Sequence, residues 1–133
     1  MKFDSTTSAI VTGGASGLGR ATAEALTAAG VKVAIFDIND ALGEEVASSI
    51  GVRFCKVDIT DEQSVLDGYA KARAAHGQER ICVHCAMTSR RGKTLAYDKE
   101  TGGYRRTPTA DYAFGVEGIL TASYRVASIA AEG

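Results

Sequence analysis

The chain has 133 residues, of which 45% are hydrophobic and 23% charged, and its formal net charge is -1. That balance fits one globular domain spanning 1–133 with a core of its own, and it argues against nucleic acid or an anionic membrane surface as partner. No run of about twenty apolar residues reads as a membrane span. The start, Met1-Lys2-Phe3-Asp4-Ser5-Thr6-Thr7, lacks the apolar stretch of a secretory signal, so a cytoplasmic location is the expectation.

Apolar runs and helical spacing alternate along the chain. Ala9 to Thr12 is a short apolar run that stops at glycine, as a strand buried on both faces does. Leu18 to Ala29 places Leu18, Ala21, Ala25, Leu26 and Ala29 at helical spacing, with Gly30 as the C-terminal stop. Val31 to Phe36 is the second strand and ends at Asp37; Ala41 to Ile50 is the second helix and ends at Gly51. Arg53 to Val57 makes the third strand, followed by Asp58. Thr60 and Gln63 have capping-box spacing and open a third helix that runs to His76. Ile81 to Ala86 is the fourth strand. Thr107-Pro108 reads as a cap with proline in the first helical position, and a last helix continues to Ala131.

This alternation predicts a doubly wound α/β sheet of parallel strands with Rossmann-like order 3-2-1-4. Ligands of such sheets sit beyond the carboxyl ends of the strands, where the strand order reverses. The stretch Thr12-Gly13-Gly14-Ala15-Ser16-Gly17-Leu18-Gly19 falls there, between the first strand and first helix. Gly13, Gly17 and Gly19 supply a tight turn, close backbone approach to a pyrophosphate, and helix–strand packing. The helix N-terminus at Leu18 turns free amides and a positive dipole end toward the phosphates, and Ser16 adds a hydroxyl. Asp37 stands 18 residues after Gly19 and suits the adenosine ribose hydroxyls; a helix-capping role is the alternative. A carboxylate there repels a 2′-phosphate, and Ile38 and Asn39 bring no cation, so NAD is favoured over NADP.

The run TGGASGLG, then Asp37, then Asp58-Ile59 after the third strand, resembles the short-chain dehydrogenase/reductase family. Val83-His84-Cys85-Ala86, the polar loop behind it and the helix from Thr107 look similar to the type II 3-hydroxyacyl-CoA dehydrogenase branch. The resemblance implies that Asp58 and the backbone of Ile59 hold the adenine ring, and that Cys85 and Ala86 border the cofactor. It implies hydride transfer between NAD(H) and an alcohol or carbonyl, with a small molecule or acyl thioester as substrate. It also places the last helix in a homo-oligomer interface. The family has asparagine where His84 stands, glycine at Met87, and asparagine at Ile119. Its serine and Tyr-x-x-x-Lys pair lie beyond Gly133. Tyr69-Ala70-Lys71 and Tyr97-Asp98-Lys99 have the wrong spacing, so no catalytic residue is assigned to this chain.

The remaining features read as structural. Cys82 and Cys85 are three apart on a strand and point to opposite faces, so they are expected to be buried cysteines and not metal ligands. His84 is expected to be a satisfied sheet histidine. Residues 88–107 carry six basic residues against two acidic ones, a local +4 against -5 elsewhere, and read as a solvated, mobile loop. Gly115 and Gly118 inside the last helix point to close packing. Ile81-Cys82-Val83 is an apolar edge open to pairing with another chain. A non-catalytic NAD-binding module, or one that only self-associates, is the second reading.

Overall fold

Runs rich in β-branched residues become strands, and the segments of helical spacing between them become the crossovers. The computed structural model describes residues 2–133, beginning with β1 (Ser8–Thr12), α1 (Gly17–Ala28), β2 (Lys32–Asp37) and α2 (Asp40–Ile50). Next come β3 (Arg53–Lys56), α3 (Glu62–His76) and β4 (Ile81–His84). A hairpin of β5 (Leu95–Asp98) and β6 (Gly103–Arg106) follows, then α4 (Thr109–Val116), a π-helical turn (Glu117–Thr121) and α5 (Ala122–Glu132). The first four strands form one parallel sheet ordered β3-β2-β1-β4, the order expected from the sequence.

Two apolar layers hold the sheet. On one face Ile10, Ala34 and Phe36 meet Val65 and Tyr69 of α3 and Ala122, Val126 and Ile129 of α5. On the other face Val11, Val33 and Ile35 meet Ala23 of α1 and Val46 of α2. Phe36 and Tyr69 are each 1% exposed and pack edge to face, with ring centroids 5.3 Å apart. Burying side chains of this size contributes about 2–3 kcal/mol each. The Tyr69 hydroxyl donates to the Val126 carbonyl at 3.0 Å, which ties α3 to α5.

The register levels the strand ends. Thr12 lies between Phe36 and His84, and Asp37 lies beside Lys56. This places the carboxyl ends of β1, β2 and β4 around one loop.

Several local expectations change. The cap of α3 is Asp61, whose Oδ1 accepts from the Gln63 and Ser64 amides; Thr60 instead donates its hydroxyl to Asp58. Pro108 is the cap residue of α4, one position later than expected, and the Thr107 hydroxyl donates to the Lys93 carbonyl. The charged stretch contains the antiparallel hairpin, with Tyr97 opposite Tyr104 and their rings 5.4 Å apart. The last helix is interrupted by the π turn. Gly118 there packs so closely on the Thr88 carbonyl that a Cβ would clash, whereas a Cβ at Gly115 would make ordinary contact. Cys82 is exposed and Cys85 half-buried, and among the described residues no strand pairs with the outer edge of β4.

Candidate cofactor site

The loop between β1 and α1 is shaped by its glycines. Gly13 has φ +67°, and a Cβ on it would stand 2.9 Å from the Ala86 nitrogen, so the loop lies tight against the end of β4. Gly19 packs on the Gly13 carbonyl too closely for any side chain. Gly17 has φ +53°, yet a Cβ there would meet nothing within 4 Å. Its glycine therefore serves the backbone conformation and leaves open space above it.

The amides divide into two sets. Gly13 and Gly14 donate to the Phe36 carbonyl at 2.7 and 3.3 Å, and Ala15 donates to Asp37 Oδ2 at 3.1 Å. Among the described residues, the amides of Ser16, Gly17, Leu18 and Gly19 donate to nothing in the chain. Ser16 occupies the cap position of α1 without making a side-chain cap, so its hydroxyl is free as well. These donors converge at the positive end of α1, an arrangement complementary to a phosphate.

Asp37 is fixed from two sides, by the Ala15 amide on Oδ2 and by the Asn39 amide on Oδ1 at 3.0 Å. Capping of α2 falls to Asn39, whose Oδ1 accepts from Leu42, so the capping alternative for Asp37 does not hold. Asp58 Oδ1 accepts from the amide and hydroxyl of Thr60, at 2.9 and 2.7 Å. The neighbouring Ile59 is 8% exposed. Its carbonyl accepts from Arg125 at 2.6 Å, while its amide donates to no group among the described residues.

At the end of β4 one hydroxyl organises three groups. Thr12 is fully buried, and its Oγ1 lies 3.1 Å from the amides of both Cys85 and Ala86 and 2.7 Å from His84 Nδ1. Two donated N–H groups occupy the hydroxyl's lone pairs, so its proton goes to Nδ1 and the proton of His84 resides on Nε2. That Nε2 is buried without a partner among the described residues, so His84 is only half satisfied, contrary to expectation. Burial pushes its pKa down. The reading from sequence missed Thr12, because a threonine at the end of a strand carries no signal until the partner strand is placed.

Met87 is 65% exposed and Ile119 is 41% exposed. The Ile119 carbonyl accepts from Ser123, and its side chain lines a cavity of about 560 Å3 between the hairpin root and α4. Neither tyrosine of the near-miss spacings is a proton donor at the strand ends. Tyr69 is buried in the core, where burial and the adjacent Cys82 thiol push its pKa far up. Tyr97 lies on the hairpin. Among the described residues no three metal-ligating side chains cluster. No helix of the described residues is long and apolar enough to cross a membrane.

Comparison with known proteins places this geometry. The profile of the short chain dehydrogenase family matches residues 7–109. The 3-hydroxyacyl-CoA dehydrogenase type-2 of Drosophila melanogaster is 42% identical over 92 residues, covering 68% of this chain and 36% of that protein. The Homo sapiens protein of the same name is 38% identical over 93 residues, with the same coverage of each. The chain thus spans about a third of the length of these relatives. A short-chain type dehydrogenase/reductase from Mycobacterium ulcerans superposes over 99% of this chain and 47% of its own, with TM-score 0.82 at 24% identity, a likeness of fold. With the profile covering most of the chain and the glycine loop, strand order and acidic strand ends all in place, the chain belongs to the short-chain dehydrogenase/reductase family of oxidoreductases, and the 3-hydroxyacyl-CoA dehydrogenase type-2 proteins are among its similar relatives.

Proposed function

We propose that residues 1–133 form the NAD(H)-holding part of an oxidoreductase that moves hydride between NAD(H) and an alcohol or carbonyl. The observation that carries this reading is the Asp37 carboxylate, fixed by two amides beside four unpartnered ones. The residues fit the cofactor. Ser16, Gly17, Leu18 and Gly19 offer donors to the pyrophosphate, with Gly13 setting the turn. Asp37 accepts from the ribose hydroxyls. Asp58 and the Ile59 amide face the adenine, and Cys85 and Ala86 border the second ribose. The cofactor supplies hydride chemistry. This chain's residues bind and orient it, and they supply no acid or base to the substrate.

The substrate this reading implies is a small molecule, with an acyl thioester as the form suggested by the names of the relatives. We further propose self-association through the bare edge of β4, since an exposed strand edge is a pairing template. Calorimetric titration tests the cofactor reading. Saturable NAD binding that weakens at least about tenfold in Asp37→Ala supports it. Folded protein that gives no heat at millimolar NAD contradicts it.

A further inference from the structure

The neighbours of Asp37 along the chain bring no cation, but its neighbour across the sheet does. Lys56 is the register partner of Asp37 in the β2–β3 ladder, and ladder partners lie about 5 Å apart. Both side chains stand on the same face. Phe54, two residues before Lys56, packs with the layer that contains Ile35, two residues before Asp37. On that face lies the first turn of α2, where Asp40 Oδ2 holds Lys56 Nζ at 3.5 Å. The two side chains are 61% and 62% exposed, so the pair is loose and wet and open to exchange for a better anion.

We infer that Lys56 is the cation that meets a 2′-phosphate at this site, and that Asp40 restrains it, so cofactor choice is set by Asp37, Asp40 and Lys56 together. The inference rests on the adenosine reading of Asp37. A ribose with a free 2′-hydroxyl leaves the Asp40–Lys56 pair intact and bonds to Asp37. A 2′-phosphate meets two carboxylates and one ammonium that is already engaged. Recruiting Lys56 requires breaking its pair with Asp40, which leaves that carboxylate uncompensated beside the added charge. NAD is preferred, with part of the margin stored in a surface ion pair. Lysine suits such a role because its ammonium is a point charge on a flexible four-carbon stem.

The test is calorimetric titration of NAD and NADP into the chain and its Asp40→Asn, Lys56→Gln and doubly substituted forms. Asp40→Asn is expected to tighten NADP by about threefold or more while NAD changes less than about twofold. Lys56→Gln is expected to weaken NADP selectively, and the double form to lose the gain. Two results overturn the inference: an NADP gain that survives in the double form, which would be general charge relief, or an unchanged NADP-to-NAD ratio in Asp40→Asn that still binds NAD. Absence of NAD binding in every folded form is a different failure, since it removes the adenosine reading itself and the inference with it.

Discussion

Thr12→Val isolates the contribution of one buried hydroxyl to the site. Valine keeps the shape of threonine, so packing in the fully buried position is preserved while the oxygen is lost. The Ala86 amide then loses its one partner, and His84 Nδ1 loses the donor 2.7 Å away. The Cys85 amide suffers less, because it also donates to the Thr12 carbonyl at 3.2 Å. An unsatisfied buried polar group costs about 1–3 kcal/mol, so two such groups, both in half-buried residues, imply a loss of about 2–4 kcal/mol. That is a large part of the roughly 5–15 kcal/mol that holds a domain together. Urea unfolding followed by circular dichroism is the assay, and the midpoint is expected to fall by roughly 1–2 M with the slope unchanged. Thr12→Ser keeps the hydroxyl and loses one methyl, at a cost of about 1 kcal/mol. Equal destabilisation by the two substitutions would refute the argument, because it would assign the role of Thr12 to its methyl and not to its oxygen.

Other expectations follow from the same geometry. Gly13→Ala combines a φ of +67° with a Cβ only 2.9 Å from the Ala86 nitrogen, so thermal unfolding should show a loss of about 2 kcal/mol or more. Gly17→Ala meets open space and carries only the backbone penalty of about 1 kcal/mol, yet NAD affinity should fall about tenfold or more; an unchanged dissociation constant would count against the phosphate reading. Arg73→Ala strands the Glu79 carboxylate, whose side chain is 3% exposed and bonded to Arg73 at 2.7 Å; denaturant midpoints should report a loss of about 3 kcal/mol. Burial pushes the imidazole pKa values of His84 and His76 down, with Lys32 and Arg53 adding to the effect at His76. The unfolded chain therefore takes up protons near pH 6.5 before the folded one does, so stability should be level above that pH and decline as pH falls through it. Unfolding midpoints from pH 7.5 to 5.5 should show this decline, and His84→Asn should flatten it; an identical slope in that variant would remove His84 from the account.

The architecture was legible because its signals are local. Short apolar runs that end at Gly13, Asp37 and Asp58, and helices that end at Gly30 and Gly51, mark the alternation without reference to the rest of the fold. Their order then implies a parallel sheet with its site at the carboxyl ends of the strands, and the structure has that sheet. What stayed hidden depends on pairing. Lys56 lies 19 residues beyond Asp37 and adjoins it only through the β2–β3 register. The three bonds of Thr12 exist only once β4 lies beside β1. Asp61 displaced Thr60 as the cap because Asp58 takes the Thr60 hydroxyl, a competition that spacing alone does not decide. The hairpin was obscured by composition. Leu95, Tyr97, Tyr104 and Arg106 share one face of the hairpin and Ala96 and Arg105 the other, but each strand is only four residues long and set among charges, too short for its alternation to stand out. The π turn at Glu117–Thr121 leaves no periodic trace in five residues.

The most direct test of the central claim is an amide chemical-shift titration of the 15N-labelled chain with NAD. The account predicts that the amides of Ser16, Gly17, Leu18, Gly19 and Ile59 move together and saturate on one curve, with Gly13 and Gly14 moving less because they are bonded to Phe36. Shifts confined to the hairpin or to α5, or none at saturating NAD from a folded chain, would contradict it.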